Sequence, residues 1–441
     1  MRKFWGLPVI TAVIAAFLIF SACQKETKPG VYFLNFKPET DREWIAAAAQ
    51  FTTETGIPMK VVTAASGTYE QTLRAEISKS KPPTLFNLNG PVGMNNWRDY
   101  TADLKNSSIY EWLGDRGLAI GENGEIYGIP YAIESYGIIY NDAILRKYFA
   151  LSSRSVNGIN SADGINNFAK LKAVAEDIQA HAEELGISGA FASTSFSPGE
   201  DWRWNTHLAN MPIYFEYKQK NVNDLEVIDL TYSENIKNIF DLYINNSITD
   251  RKMVGSKTVG DSMTEFALGK VAFIQNGTWA WTQISGEKGN VVDSQDIKFL
   301  PIYTGIEGEE TQGLCVGTEN YIAVNRRVSP GDQEASLKFL EWLFNTDNGK
   351  KIASEKLGLV TPFKTFTDDE RPGDPLIKEM FRYLNDSNLN SVPWVFTTFP
   401  SQEFKNELGA AFNAYAVETQ GWDYVKTTFI NSWAAEKKVN K

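Results

Sequence analysis

At 441 residues, with 43% hydrophobic and 22% charged side chains, the chain is a folded protein too long for one ordinary core, so two or more lobes are expected. Its formal charge is −11, or −13 (41 basic against 54 acidic side chains) once the first 22 residues are set aside. A body this acidic, without a Lys/Arg cluster, argues against nucleic acid as a partner. The cysteines are Cys23 and Cys315, the histidines His181 and His207, and neither CxxC nor HExxH occurs, so no metal site and no cofactor are expected. Cys315, in the apolar run 313–317, reads as an inert buried thiol. With 12 Trp and 18 Tyr, aromatic rings are abundant. In polar surroundings such rings suit carbohydrate, whose C–H faces meet a flat apolar surface.

Residues 1–22 read as a signal peptide: Arg2 and Lys3 give a positive start, and the apolar run 7–20 is short for a membrane span. That run ends Phe20-Ser21-Ala22-Cys23, which resembles a bacterial lipobox with Cys23 as the lipidated first residue of the mature chain, although Phe20 stands where Leu is usual. Residues 23–30 form a polar tether. The pattern then predicts a strand over 31–36, the loop Lys37-Pro38-Glu39, and a capping box from Thr40 to Glu43 opening a helix that stops at Gly56. A strand over 59–63, a helix from Tyr69, a strand over 85–88 and the turn Asn89-Gly90-Pro91 complete an α/β lobe with a parallel sheet. Ligands collect beyond the carboxyl ends of such strands, which puts Lys37, Glu39, Ser66, Gly67, Thr68 and Asn89 on one rim, next to Tyr69.

Asn123-Gly124 marks a hairpin that leads into two apolar strand runs, 129–133 and 138–140. Between them sits Glu134, flanked by Tyr131 and Tyr136. A lone acid there is costly to bury unless it is paired or lines a wet cleft, and a strand end facing solvent is the other option. A helix over 142–149, a Ser/Asn/Gly-rich loop over 152–160 and a long helix over 165–185 follow. After the Pro198-Gly199 turn comes Asp201-Trp202-Arg203-Trp204. Burying both rings beside Asp and Arg would need a hydrogen-bonded pocket, so cleft lining is favoured over packing. A helix over 233–246 precedes the strand 271–275, which runs out into Asn276-Gly277-Thr278-Trp279-Ala280-Trp281, where core packing accounts for one ring only. Strands over 296–301 and 314–325 come next, then helices over 332–344, 376–384, 401–415 and 422–437, with Trp394 in the apolar connection 392–396. No repeat and no flexible linker appears, so the chain is expected to cross between lobes several times.

The run Tyr127 to Glu134, then Ile139-Tyr140-Asn141, Gly269 to Phe273 and Asn276 to Trp281, together with the lipobox, resembles the family 1 extracellular solute-binding proteins. These are sugar-binding lipoproteins of ABC importers, similar in plan to maltose-binding protein. The resemblance implies a two-lobed α/β clamp, each lobe a mostly parallel sheet flanked by helices. Crossings are implied near 132–136, 314–318 and 372–376, with lobe one at 31–133 and 316–374 and lobe two at 134–315 and 375–441. It implies a non-enzymatic monomer, held to the extracytoplasmic face of the membrane by lipid on Cys23, that binds a carbohydrate and meets importer permease subunits. Glu134 would contact sugar hydroxyls, satisfied by ligand and water, and Trp279 would stack on a sugar ring. Lys37 and Glu39 would supply polar contacts, Trp202 and Trp204 an aromatic loop, and Phe404 stands where maltose-type proteins carry Trp. Tyr136, Asp201, Arg203, Asn276, Trp281 and Trp394 complete the candidate ligand set. Two rivals are the same clamp holding a polyol, polyamine or peptide, and a lipid-anchored glycoside hydrolase using Glu134 and Asp201 as its carboxylate pair.

Overall fold

The computed structural model describes residues 28–439 except Ser66, so the expected signal peptide, Cys23 and the first part of the tether lie outside the described residues. The chain begins with β1 (Val31–Asn35), buried along its whole length because helices cover both faces of its sheet. The helix Asp41–Thr55 follows and ends at Gly56 in the left-handed conformation, as expected, but the Thr40 side chain makes no capping hydrogen bond. Next come β2 (Met59–Thr63), whose alternating exposure marks an edge strand, and β3 (Leu85–Asn89). The Asn-Gly hairpin joins β4 (Ile120–Glu122) to β5 (Glu125–Pro130).

Three residues, Tyr131 to Ile133, then carry the chain to β6 (Glu134–Asn141), in a second sheet. That sheet gains β7 (Gly189–Phe191), β8 (Val271–Gly277), β9 (Ile297–Leu300) and β10 (Gln312–Gly317). The strand expected over 314–325 breaks at Thr318 and Glu319, and β11 (Asn320–Val324) belongs to the first sheet. The chain returns to the second sheet with the helix Pro375–Leu384 and β12 (Asn390–Pro393). The helix expected over 165–185 is interrupted at His181, between Phe168–Ala180 and Ala182–Leu185.

The strand orders are β2-β1-β3-β11-β5-β4 and β12-β10-β6-β8-β7, with β9 also pairing with β6. Both sheets are mixed rather than mostly parallel. β1 runs parallel to β2 and β3, but β11 lies antiparallel to β3 and β5. The crossings are the cause: a strand that starts at the crossing must run away from it, while its neighbours run toward it. In the same way β6 opposes β8 and β10, with Ile139 beside Ile274 and Cys315 beside Tyr136.

Each sheet is buried on both faces. Along β1, Phe33 joins a cluster with Trp44, Phe51 and Phe339, while its neighbour Leu34 joins Leu73, Phe86 and Trp97 on the other face. Along β6, Ile138 and Ile139 divide in the same way between two clusters.

Asp374 caps the helix that follows the last crossing, accepting hydrogen bonds from the amides of Leu376 at 2.8 Å and Ile377 at 3.2 Å. Burial pushes its carboxyl up to about 6. The folded chain therefore holds this proton more tightly than the unfolded chain, and stability is lost as pH rises from about 4 through about 6. Asn keeps the cap without the charge. In denaturant melts Asp374→Asn is expected to exceed the wild type by about 1–3 kcal/mol at pH 7, with the difference fading near pH 4.

Candidate functional site

Because β1, β3, β5, β8, β10 and β12 end at the crossings while β6 and β11 begin there, the segments at those ends converge between the two sheets. They enclose a cavity of about 530 Å³, of the size that holds a small organic ligand. The loop after β1 brings Lys37 and Glu39, the end of β3 brings Asn89, and Tyr69 lies beside them. The second sheet supplies Glu134 from the start of β6, Trp279 after β8 and Trp394 after β12. Two glycines make room for the rings: a side chain at Gly277 would stand 2.2 Å from the Trp279 ring, and one at Gly317 2.5 Å from Trp394.

Glu134 is not left to solvent. One oxygen pairs with the Lys37 ammonium and the other accepts from Asn320 Nδ2 at 2.6 Å. Burial works to lower the Lys37 pKa, but Glu134 and Glu39, whose Oε1 is 3.7 Å from Nζ, hold it above the ordinary lysine range. Burial also pushes the Glu39 carboxyl up, against the pull of Lys37. The acid expected to await a ligand is therefore already satisfied by the protein on both oxygens.

The aromatic wall is built on a π-helical turn, Arg203–Leu208, a form frequent at functional sites. Asn205, Thr206 and His207 from this turn line the cavity together with Asp201 and Trp202, which precede it. Trp202 and Trp279 are 6.0 Å apart between centroids and tilted by 54°, and His207 sits 5.1 Å from Trp202 and 5.5 Å from Trp279. Burial holds the His207 pKa well below the ordinary histidine range, so the ring is neutral.

Six candidates fall outside the cavity lining. Trp204 is buried against Phe196, Phe240 and Tyr243, and Trp281 packs against the cluster around Phe266 and Ile284. The reason is common to both: the segments are helical, and residues two apart on a helix point to different sides. Arg203 is also turned inward, with Nη1 3.2 Å from Ser262 Oγ, and burial lowers its pKa to about 10. Asn276 is a fully buried strand residue whose Nδ2 meets Met263 Sδ at 3.1 Å. Tyr136 lies behind His207, its ring stacked at 4.1 Å and its hydroxyl donating to the His207 carbonyl. Phe404 is core, packed against Phe399, Phe429 and Trp433. Residues that line the cavity without having been candidates include His207, Glu319 and Lys405.

Two mixed sheets joined by three crossings, with a ligand-sized cleft at the crossings, define a two-lobed binding protein. The sequence matches the family described as bacterial extracellular solute-binding protein over residues 46–379, and the chain belongs to that family of binding proteins. Among solved structures it is similar to the solute-binding protein RafE in complex with raffinose, at 18% identity and a TM-score of 0.69, covering 92% of this chain and 99% of that one. The GacH receptor of Streptomyces glaucescens, solved unliganded and with acarbose, matches at 17% identity and 0.68, over 94% of this chain and 100% of its own. A sugar transporter of Bacillus licheniformis in complex with stachyose matches at 18% and 0.67, over 92% and 100%.

Proposed function

We propose that this protein is the lipid-anchored, extracytoplasmic substrate-binding component of an ABC importer and that it captures a carbohydrate by closing two lobes over it. The lobes follow the expected division, residues 31–133 with 316–374 and residues 134–315 with 375–441, with one change. The boundary at 316 moves to Thr318, because β10 stays with the second sheet through Gly317. The protein acts as a monomer anchored through Cys23. The observation that carries this reading is the cavity wall. Trp202, Trp279 and Trp394 offer ring faces, and Glu39, Asn89 and Asp201 offer polar atoms for hydroxyls around a sugar's rim. The structures cited above contain raffinose, acarbose and stachyose, which supports a saccharide ligand. Ligand binding draws the population toward the closed clamp, which permease subunits then read.

A thermal-shift screen of mono- and oligosaccharides, polyols and polyamines tests the reading, because a ligand specific for the folded state raises the midpoint. Shifts by saccharides are expected, and shifts by polyamines alone would overturn it. Trp279 is half-buried, so Trp279→Ala is expected to weaken saccharide binding by about 5–30-fold, roughly 1–2 kcal/mol, with little change in melting temperature. An equal loss of folding would return Trp279 to the core.

A further inference from the structure

The cavity carries negative charge that the protein leaves uncompensated. Lys37 and Lys405 line it against six carboxylates, and the buried His207 ring is neutral. Lys37 is committed to Glu134 and Glu39. Lys405, on the helix Gln402–Ala416, faces Glu319 and Glu70, and burial lowers its pKa. Three of the acids have internal donors: Glu70 accepts from Trp97 Nε1 at 2.8 Å, Glu200 from the Val259 amide at 3.0 Å, and Asp201 from the Asn205 side chain. Glu319 has none among the described residues. Glu319 feels Lys405 and Lys37 without an ion-pair contact to either, and Asp201, though hydrogen-bonded, has as its charged neighbour Glu200, a second acid.

We infer that the cleft selects its saccharide by charge, taking an amine-bearing sugar more tightly than its neutral parent and turning away the carboxylated form, with Glu319 and Asp201 as the discriminating groups. The inference rests on the saccharide reading above. Both carboxyls are pushed up, first by burial, which is the condition a cation relieves. A protonated amine beside either makes charge-assisted hydrogen bonds in a cleft partly withdrawn from water, where salt screens weakly. The tilted faces of Trp202 and Trp279 line the same cleft and offer cation–π attraction to an amine there. An entering carboxylate meets the whole acidic wall and gains neither.

The test is calorimetric titration of the mature protein at low salt with matched trios. Cellotriose is compared with the corresponding glucosamine and glucuronate trisaccharides, and galactose with galactosamine and galacturonate. Spermidine serves as a cation without a sugar. In the trio that binds, the amine is expected to be about tenfold tighter than the neutral sugar and the uronate at least about tenfold weaker. In Glu319→Gln and Asp201→Asn the amine advantage should shrink to about twofold or less. A uronate that binds as well as its neutral parent overturns the charge selection and leaves the saccharide reading intact. Binding of spermidine with no saccharide overturns the saccharide reading, and the selection among saccharides falls with it. Binding of none of the probes overturns both.

Discussion

Replacing Lys37 with methionine is expected to lower folding stability by about 3–5 kcal/mol, the cost of leaving one partner of a buried ion pair behind. The side chains of Lys37 and Glu134 are only 11% and 13% exposed, so water cannot take the place of the missing ammonium. The pair also joins the two sheets, since Lys37 follows β1 and Glu134 opens β6. In the variant Glu134 retains Asn320 as a donor but loses its counter-charge. Adding Glu134→Gln should recover most of the loss. Denaturant melts of the single and double variants check this, and a single variant within about 1 kcal/mol of the wild type would mean that the pair is effectively solvated.

Gly67→Ala is expected to weaken saccharide binding by at least about tenfold without a matching loss of stability. Gly67 follows β2 of one sheet and Gly199 follows β7 of the other, and the two backbones meet across the cleft. Both are left-handed, with φ of 70° and 79°. A Cβ at Gly67 would stand 2.7 Å from Gly199 Cα and 3.1 Å from its carbonyl oxygen, distances that a rigid backbone cannot yield without holding the lobes apart. A penalty of about 1.4 kcal/mol on the closed state alone gives the tenfold loss. Gly56→Ala is the control: φ is 73°, so the backbone penalty of about 1 kcal/mol is the same, but nothing lies within 4 Å of its Cβ. Equal affinities for the two variants would show that the Gly67–Gly199 approach has no part in closure.

The lobe built on β1, β2 and β3 was readable because its signals are local: buried strand runs, a helix stopped by Gly56, and polar loops at strand ends. Those same loops place Lys37, Glu39 and Asn89 at the cleft through local sequence alone. What escaped depends on geometry that spacing does not carry. Trp204 and Trp281 were read as companions of Trp202 and Trp279, yet each pair sits on helical backbone that sends its members apart. Lys405 lines the cavity while its neighbour Phe404 is core, since adjacent residues on a helix point about 100° apart. Glu319 was hidden inside an apolar run that reads as one strand but divides between two sheets. The ion pair of Glu134 with Lys37 joins residues 97 positions apart, and no local pattern announces it.

The most direct test of a saccharide-binding cleft is calorimetric titration of the mature protein with the saccharide giving the largest thermal shift, beside the double variant Trp202→Ala/Trp279→Ala. One-site binding with a negative heat-capacity change is expected for the wild type, as ring faces leave water, and binding should be lost in the double variant. Undiminished affinity in a folded double variant would contradict the assignment of the site.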